Sequence, residues 1–342
     1  ARDSKHLDQM QAVLDAANQP PERNIFLYYA MAKELEDLER WEEAFTFYKR
    51  AGDAASGEAY KAGYRVAQDV ALMDAIRQTC NAPWLQQKTG AAHPSSDSEK
   101  TPIFIVGLPR TGTTLTERIV ASHSRVESAD ETQFMQIAVQ RAAGKAPGSE
   151  MSPGVIKAAA NTRIDRLGQA YLSSVAYKLA DRPFFIDKLP ENFLYLGFIA
   201  AALPQAHIIH LRRHPMDACF AMYKQSFFRF AYTVDDIAEY YLAYDRLHRH
   251  WADVLGDRVI EVEYEELVSD QEQQTRRILE RLGLEFEPAC LDFHLNQAPT
   301  ATASAVQVRE KAHTRSVGKW RNWENQLRPL RERLENAGIE ID

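Results

Sequence analysis

The stretch FIVGLPRTGTTLTERI, residues 104–119, constrains the fold of this chain more than any other. It opens with a short apolar run, continues through a segment that contains Gly107 and Gly112, and ends in a pattern typical of a helix. A strand that turns directly into a helix through glycines is common where strands and helices alternate along the chain. The stretch therefore predicts an α/β domain with a glycine turn at the carboxyl end of a strand.

Short apolar runs of the same character recur along the rest of the chain, and segments with helical spacing separate most of them. We predict β-strands at residues 102–106, 125–128, 184–187, 206–211 and 259–264. Such alternation produces a parallel sheet with helices on both faces, so we expect a three-layer α/β sandwich. In sheets of this kind, ligands bind at the carboxyl ends of the strands.

The chain before this domain has a different pattern. Residues 1–90 show helical spacing throughout, and residues 27–51 place apolar side chains on two short helices that turn near Glu39, as in one tetratricopeptide repeat. A generic helical hairpin is the alternative. One repeat does not bury its own apolar face, so flanking helices must continue the stack. Small and polar residues then predict a linker at 91–100, followed by the α/β domain at 101–342.

The overall composition argues against several functional classes. A net charge of −7 disfavours a general nucleic-acid binder, which would present a basic face. The three cysteines, Cys80, Cys219 and Cys290, are far apart, which favours neither a disulfide framework nor a Cys-pair zinc site. No stretch approaches the ~18 apolar residues of a membrane span. We expect a cytoplasmic protein without a membrane span, and the helical pattern of the first residues leaves open a native start further upstream.

The glycine turn has the spacing of a loop that holds phosphate. Gly107, four further residues and Gly112 are followed by threonines, which matches the Gly-x4-Gly-x-[ST] pattern of nucleotide-triphosphate loops. The position of the usual lysine is taken by Thr113, and Arg110 lies inside the loop instead. Without that lysine the loop suits a less charged anion that needs no metal better than the β/γ-phosphates of ATP. An ordinary glycine-rich turn is the alternative.

A second basic segment, HIIHLRRHPMDACFAMY, covers residues 207–223. An apolar strand delivers Arg212 and Arg213 to its end, and His214 and Pro215 begin the next helix. By itself such a pair is usually a solvated surface feature. Because it lies at the same predicted sheet edge as the glycine turn, we interpret it as a second anion site.

Together the segments GLPRTGTT and RRHPMDACFAMY resemble the two signature segments of sulfotransferases that use 3′-phosphoadenosine 5′-phosphosulfate (PAPS). With the helical region in front, the chain resembles tetratricopeptide-repeat-linked bacterial sulfotransferases, and its catalytic half is similar to tyrosylprotein sulfotransferases. The resemblance implies a metal-free enzyme that binds PAPS and releases adenosine 3′,5′-bisphosphate. It also implies that Arg213 contacts the 3′-phosphate and that the 5′-phosphosulfate is held by Arg110, Thr111, Gly112, Thr113 and Thr114.

The same resemblance implies four catalytic residues. Glu131, in the Glu-Thr pair with Thr132, matches the general base of the tyrosylprotein enzymes, and Lys188 matches the lysine near the bridging oxygen. Arg110 matches the arginine that binds the phosphosulfate, and Ser304 matches a serine that assists transfer. A glutamate at a helix start or a solvated lysine is the plainer interpretation of Glu131 or Lys188. The segment FFIDKLPENF lacks the histidine base of cytosolic sulfotransferases, which favours Glu131.

Three further positions complete the predicted donor site. Tyr264 matches a tyrosine that contacts adenine, although it is equally compatible with a core aromatic at a strand end. Arg315 and Lys319 match a late loop on the 3′-phosphate side, and surface charges are the alternative for both. The pattern departs from the family at Ala221, where a serine normally contacts the 3′-phosphate, and at Gln133, where tyrosylprotein enzymes have an arginine toward the acceptor.

The sequence therefore predicts transfer of a sulfuryl group from PAPS to a hydroxyl acceptor, either a phenol or tyrosine or a carbohydrate. The helical region is expected to bind a protein or peptide partner. Two other functions stay open. One is a P-loop nucleotide kinase or hydrolase, which the missing lysine disfavours; the other is a non-catalytic repeat scaffold.

Overall fold

The computed structural model describes residues 5–17, 19–91, 100–296 and 309–342. Most of the predicted linker, at 92–99, and the segment 297–308 lie outside the described residues.

A single five-stranded parallel sheet organises the α/β part of the chain. The strands are β1 (Thr101–Gly107), β2 (Val126–Ser128), β3 (Phe184–Lys188), β4 (His207–Arg212) and β5 (Val259–Glu263). Their order in the sheet is β2-β3-β1-β4-β5, and every pairing is parallel. All five predicted strands are confirmed, and their ends differ from the prediction by at most one residue. Tyr264, predicted as the last strand residue, begins a helix instead.

Fifteen α-helices accompany the sheet within the described residues: α1 (Lys5–Ala17), α2 (Ile25–Asp37), α3 (Trp41–Lys61), α4 (Val66–Thr79), α5 (Ala82–Ala91), α6 (Thr113–Ala121), α7 (Phe134–Ala142), α8 (Pro153–Ala160), α9 (Ile164–Val175), α10 (Leu196–Ala202), α11 (Pro215–Tyr223), α12 (Val234–Leu255), α13 (Tyr264–Ser269), α14 (Gln271–Arg281) and α15 (Glu324–Asn336). The first five confirm the predicted all-helical character of the N-terminal region. The turn between α2 and α3 falls at Glu39, which has φ 62°.

Alternating side chains of the central strand face two helical layers. Ile103 and Ile105 of β1 pack in one apolar cluster with Ile119 of α6 and Ile278 of α14. The residue between them, Phe104, points to the opposite face and lies 5.3 Å from the ring of Tyr171 in α9, measured between centroids. Because successive strand residues face opposite sides, a strand that is apolar throughout requires cover on both faces. The three-layer α/β prediction is confirmed.

The order of the strands creates a switch point between β1 and β4. From β1 the chain moves to one side of the sheet, toward β2 and β3, and then crosses to β4 and β5 on the other side. In open α/β sheets the crevice at such a point is the usual ligand site. The glycine turn after β1 and the arginine pair at the end of β4 flank this crevice.

The described chain divides into two compact units that interleave along the sequence. One contains Ala1–Val70, His214–Tyr244 and Ser316–Asp342, and the other contains Ala71–Arg213 and Asp245–Arg315. We call them the helical unit and the sheet unit. Contacts therefore group the chain differently from the linear division at 91–100, which stays a prediction.

Inside the helical unit, the N-terminal helices share a core with later parts of the chain. The ring of Trp323 lies 4.9 Å from that of Trp41 and 4.6 Å from that of Phe220, and its Nε1 donates to the backbone oxygen of Trp41 at 2.8 Å. The carboxylate of Asp217 accepts the backbone N–H of Gly318 at 2.6 Å. The assignment of α2 and α3 to a tetratricopeptide repeat stays a prediction.

Candidate active site

All five strands of the sheet unit deliver a candidate residue at or just after their carboxyl ends. Because the strands are parallel, these ends lie along one edge of the sheet. The residues are the turn 107–112 after β1, Glu131 after β2, Lys188 at the end of β3, Arg213 after β4 and Tyr264 after β5. The register pairs Ile105 with Lys188 and Gly107 with Leu211, which places the turn between the ends of β3 and β4.

The turn after β1 needs its glycines for space as well as conformation. Gly107 has φ 145° and Gly112 has φ 98°. A Cβ on Gly107 would lie 2.4 Å from the backbone oxygen of Leu211, and one on Gly112 would lie 2.6 Å from Cδ2 of Tyr264. Gly112 is also the N-cap of α6, whose first amides have no acceptor within the helix. Such a turn presents backbone N–H groups to an anion.

The threonines of the turn are buried rather than displayed on the surface. Thr111, Thr113 and Thr114 are 1%, 4% and 6% exposed. The hydroxyl of Thr111 donates to the backbone oxygen of Leu108 at 2.6 Å, inside the turn itself. Thr111 therefore stabilises the shape of the turn, so its backbone is the part suited to a ligand.

Three predicted binding residues from different strands come together. Arg213 donates from Nη1 to the backbone oxygen of Arg110 at 2.9 Å, and its guanidinium carbon lies 4.7 Å from the ring centroid of Tyr264. Burial and the neighbouring charge of Arg213 lower the pKa of Arg110. Arg110 itself has a positive φ of 69°, unusual for a residue with a side chain. A bound anion reduces the repulsion between two adjacent guanidinium groups, so this pair suits a phosphate or sulfate.

The predicted base and the predicted catalytic lysine are in direct contact. Lys188, whose side chain is 1% exposed, donates from Nζ to Oε1 of Glu131. The side chain of Glu131 is 39% exposed, so this carboxylate is open to solvent while its partner is not. The backbone N–H of Lys188 donates to the oxygen of Asp130 at 3.2 Å and ties the two segments together. This arrangement combines an accessible proton acceptor with a buried positive charge.

A second carboxylate, which the sequence analysis missed, also faces Lys188. Oε2 of Glu117, in α6, lies 3.5 Å from Nζ of Lys188, and Oε1 accepts the hydroxyl of Ser128 at 2.6 Å. Burial raises the pKa of Glu117, and the Lys188 ammonium and the Ser128 hydroxyl oppose that rise. The available signal was the spacing: Glu117 lies one helical turn after Thr113 and so shares a face with the loop threonine.

A third carboxylate, Asp187, was also missed. It is fully buried, and it accepts hydrogen bonds from Thr132 at 2.7 Å, Tyr171 at 2.9 Å and Asn192 at 3.3 Å. Burial raises the pKa of Asp187 to about 7, although these hydrogen bonds act to lower it. Because Thr132 follows Glu131, this network holds the segment that carries Glu131 against β3. The signal in the sequence was a carboxylate inside the otherwise apolar strand FFID.

The remaining predicted residues are not brought to this cluster by any described contact. Ser304 lies outside the described residues. Arg315 is exposed and forms an ion pair with Glu310. Lys319 belongs to the helical unit, where its Nζ lies 2.7 Å from Oε1 of Glu36. The roles of all three stay predictions.

Neither a membrane-spanning helix nor a metal-binding cluster is present among the described residues. No helix in these ranges has the length and apolar character needed to cross a membrane. No cluster of three or more His, Cys, Asp or Glu side chains in the same ranges is arranged to hold a metal ion.

Comparison with known proteins identifies the family of this chain and agrees with its fold. The sulfotransferase family model matches residues 102–288. An uncharacterized protein of Aquifex aeolicus is 29% identical over 351 residues, which cover 97% of this chain and 44% of that protein. The chain thus spans less than half the length of this relative. A putative protein-tyrosine sulfotransferase of Caenorhabditis briggsae is 23% identical over 64% of this chain and 80% of its own length.

Among solved structures, the sulfotransferase domain of the Synechococcus PCC 7002 olefin synthase is similar to this chain with a TM-score of 0.52 at 18% identity. The match covers 73% of this chain and 99% of that domain, and it shows a shared fold. The family match includes β1 to β5 and the sheet-edge residues from Arg110 to Tyr264. The chain belongs to the sulfotransferase family.

Proposed function

We propose that this protein transfers a sulfuryl group from PAPS to the hydroxyl of an acceptor, with Glu131 as general base. The observation that carries the proposal is the contact between Glu131 and the buried ammonium of Lys188, at the same sheet edge as the glycine turn. A base for the acceptor proton and a cation for the leaving oxygen are the two groups that sulfuryl transfer most needs.

The geometry of the turn supports PAPS as the donor. Arg110 and the backbone of residues 111–114 would hold the 5′-phosphosulfate, Arg213 the 3′-phosphate and Tyr264 the adenine. Gly107 and Gly112 have no room for a Cβ, because the backbone of Leu211 and the ring of Tyr264 lie against the turn. The tight turn that these glycines allow presents backbone N–H groups to an anion. Thr113 stands where a kinase has its lysine, so the site suits the phosphosulfate better than a triphosphate.

The donor supplies an activated sulfuryl group, and the chain's residues handle the proton and the charge. Glu131 removes the proton as the acceptor oxygen bonds to sulfur. Lys188 places its positive charge beside the oxygen that keeps the electron pair of the broken S–O bond. Arg110 stabilises the negative charge on the transferred group, and Ser304 assists there. Preorganised charges of this kind often supply the largest part of catalysis.

For the acceptor we propose a phenol or tyrosine, or a carbohydrate hydroxyl. The name of the Caenorhabditis briggsae relative, a putative protein-tyrosine sulfotransferase, supports the first class. Gln133 stands in place of the arginine expected toward a peptide, and it is exposed next to the base. We further propose that Arg315 and Lys319 act on the 3′-phosphate side, that the helical region binds a protein or peptide, and that the protein is cytoplasmic.

The first test addresses the donor. Adenosine 3′,5′-bisphosphate should bind without metal and raise the melting temperature, because the turn and Arg213 fit its two phosphates. At 100 times its Kd such a ligand adds about 2.7 kcal/mol to the free energy of unfolding. Thermal unfolding with the bisphosphate, with Mg-ATP and with neither measures this directly.

Equal stabilisation by Mg-ATP and by the metal-free bisphosphate would instead favour a nucleotide kinase or hydrolase. If neither ligand raises the melting temperature, the result would favour a non-catalytic scaffold. Once donor binding is established, labelled PAPS with peptide tyrosines, small phenols and sugars identifies the acceptor class by which molecule becomes labelled.

A further inference from the structure

The ammonium of Lys188 is held between two carboxylates that differ in their surroundings. Glu131 is 39% exposed, whereas the side chains of Glu117 and Lys188 are 6% and 1% exposed. Glu117 is fixed from both ends, since one oxygen faces Lys188 at 3.5 Å and the other accepts the Ser128 hydroxyl at 2.6 Å. It also lies on α6, the helix that begins at the glycine turn. The loop and the lysine's second partner are thus parts of one rigid element.

The two carboxylates cannot have the same role during proton transfer. When Glu131 takes the acceptor proton it becomes neutral and no longer balances the charge of Lys188. An unpaired ammonium is costly on a side chain as buried as that of Lys188, and burial favours its neutral form. A second carboxylate prevents this while it is ionised, because it leaves Lys188 paired after the proton has moved. Burial of Glu117 raises its pKa and opposes the ionised form, whereas the Lys188 ammonium and the Ser128 hydroxyl favour it.

We propose that Glu117 is the lasting counter-ion of Lys188: a positioning residue that keeps this lysine charged and in place while Glu131 is protonated. The inference rests on the proposed sulfuryl transfer. Glu117 itself touches neither donor nor acceptor in this assignment. It acts through Lys188, whose positive charge must persist until the leaving oxygen has gained its electron pair.

Other charged groups surround this pair, but within the described residues none of them forms a further ion pair with Lys188. Asp130, in the segment after β2, and Arg118, on α6, both act electrostatically on Glu117. From the β3 side, Asp187 accepts hydrogen bonds from Thr132, Tyr171 and Asn192. Glu191, in the 3-10 helix Pro190–Tyr195, interacts electrostatically with Lys188 and Glu131. Within the described residues, the ion pairs of Lys188 are those with Glu117 and Glu131.

Glu117→Gln tests the proposal, since glutamine keeps the shape and can still accept from Ser128 but carries no charge. We expect kcat to fall about tenfold or more, and the deficit to grow as the pH rises, because Lys188 then loses its proton more readily. A second readout needs no turnover. The affinity for adenosine 3′,5′-bisphosphate, measured by calorimetry, should stay near wild type at neutral pH and weaken relative to wild type at alkaline pH.

Two further variants separate the effect of the negative charge at Glu117 from a general structural effect of the substitution. Glu117→Asp keeps the charge and should restore the wild-type pH dependence in large part. Glu127→Gln removes a comparable partner on the neighbouring β2, where Glu127 pairs with Lys100 at 2.8 Å, and it should leave both pH profiles unchanged. A loss in Glu117→Gln that is the same at every pH, or turnover equal to wild type, would overturn the proposal.

Failure of this inference is distinguishable from failure of the proposed function. If wild-type protein transfers no sulfuryl group to any acceptor, the proposed function is wrong, whatever the variants do. If wild type is active and binds the bisphosphate, but Glu117→Gln shows no pH-dependent change in affinity or rate, only the role of Glu117 is wrong.

Discussion

At the scale of single residues, the proposed role of Glu131 as general base is the most direct point to test by experiment. Glutamine at this position keeps the size and the hydrogen bonding of the side chain but does not take a proton. In Glu131→Gln we therefore expect kcat to fall by about 10² or more, with the affinity for adenosine 3′,5′-bisphosphate nearly unchanged. Steady-state kinetics and calorimetry give both quantities.

The adjacent carboxylate provides a matched control. Asp130 is 66% exposed and 3.8 Å from Lys178, and its φ of 60° is one that asparagine tolerates. Asp130→Asn should leave kcat within a few-fold of wild type. Wild-type turnover in Glu131→Gln, on an acceptor that the enzyme sulfates well, would mean that the proton leaves by another route.

At the scale of structural elements, we expect the turn between β1 and α6 to affect both the stability of the protein and its binding of the bisphosphate. Gly112→Ala combines a strained φ of 98° with a clash against the ring of Tyr264, 2.6 Å from the new Cβ. We expect a loss in stability of more than about 2 kcal/mol, since the left-handed conformation alone costs about 1–2 kcal/mol. Bisphosphate binding should weaken as well, because Tyr264 moves. Thermal unfolding and calorimetry measure the two effects.

Substitution of Gly144 is the control for substitution of Gly112. It has a φ of 72°, but a Cβ there would meet no heavy atom within 4 Å. Gly144→Ala should therefore cost about 1–2 kcal/mol from backbone strain alone and should bind the bisphosphate normally. If both variants lose stability equally and both keep their affinity, the close approach of Tyr264 to the turn has no functional role.

At the scale of the whole molecule, the helical unit contains a buried ion cluster that spans distant parts of the sequence. Glu36, 4% exposed, lies 3.0 Å from Nζ of Lys224 and 2.7 Å from Nζ of Lys319, and it accepts the hydroxyl of Tyr48 at 2.7 Å. Burial alone would raise the pKa of Glu36, but the two ammonium groups and the hydroxyl lower it to about 2. The cluster ties α2 to α11 and to the segment before α15.

We expect Glu36→Gln to lose about 2 kcal/mol of stability at neutral pH, less than for a fully buried pair because Lys319 is partly exposed. A carboxylate with a lowered pKa contributes stability above its unfolded value of 4.5 and loses it as the pH falls toward 2. The difference between wild type and variant should therefore shrink across that window.

Thermal unfolding as a function of pH measures this difference. Glu43→Gln is the control, since Glu43 pairs with Arg40 at 2.6 Å but is 55% exposed. It should change stability by less than about 0.5 kcal/mol. An acid dependence in Glu36→Gln that equals that of wild type would show that another group titrates in this range.

Much of the fold could be predicted because its signals are local. Apolar runs identified all five strands to within one residue at each end, and the glycines marked the start of α6. The grouping of distant segments into the two compact units was harder to predict from the sequence. Residues Ser316–Asp342 share a unit with Ala1–Val70. No local sequence pattern indicates contacts between two segments that lie so far apart in the chain. The described structure also places Tyr264 at the start of a helix, where the alternation of VIEVEY had suggested strand.

The sequence by itself determined which residues lie at the carboxyl ends of the strands, because strand periodicity and parallel connections act over short distances. The positions of Arg110, Lys188 and Arg213 at strand ends follow from that, whereas the choice of Glu131 and the predicted roles came from the family resemblance. Only the tertiary structure decided their partners. Lys188 meets Glu117 because β3 pairs with β1 and α6 packs on that face, and Lys319 meets Glu36 across 283 positions. Burial and partner choice depend on the register of segments far apart in the chain, and that register is set by the packing of the whole core.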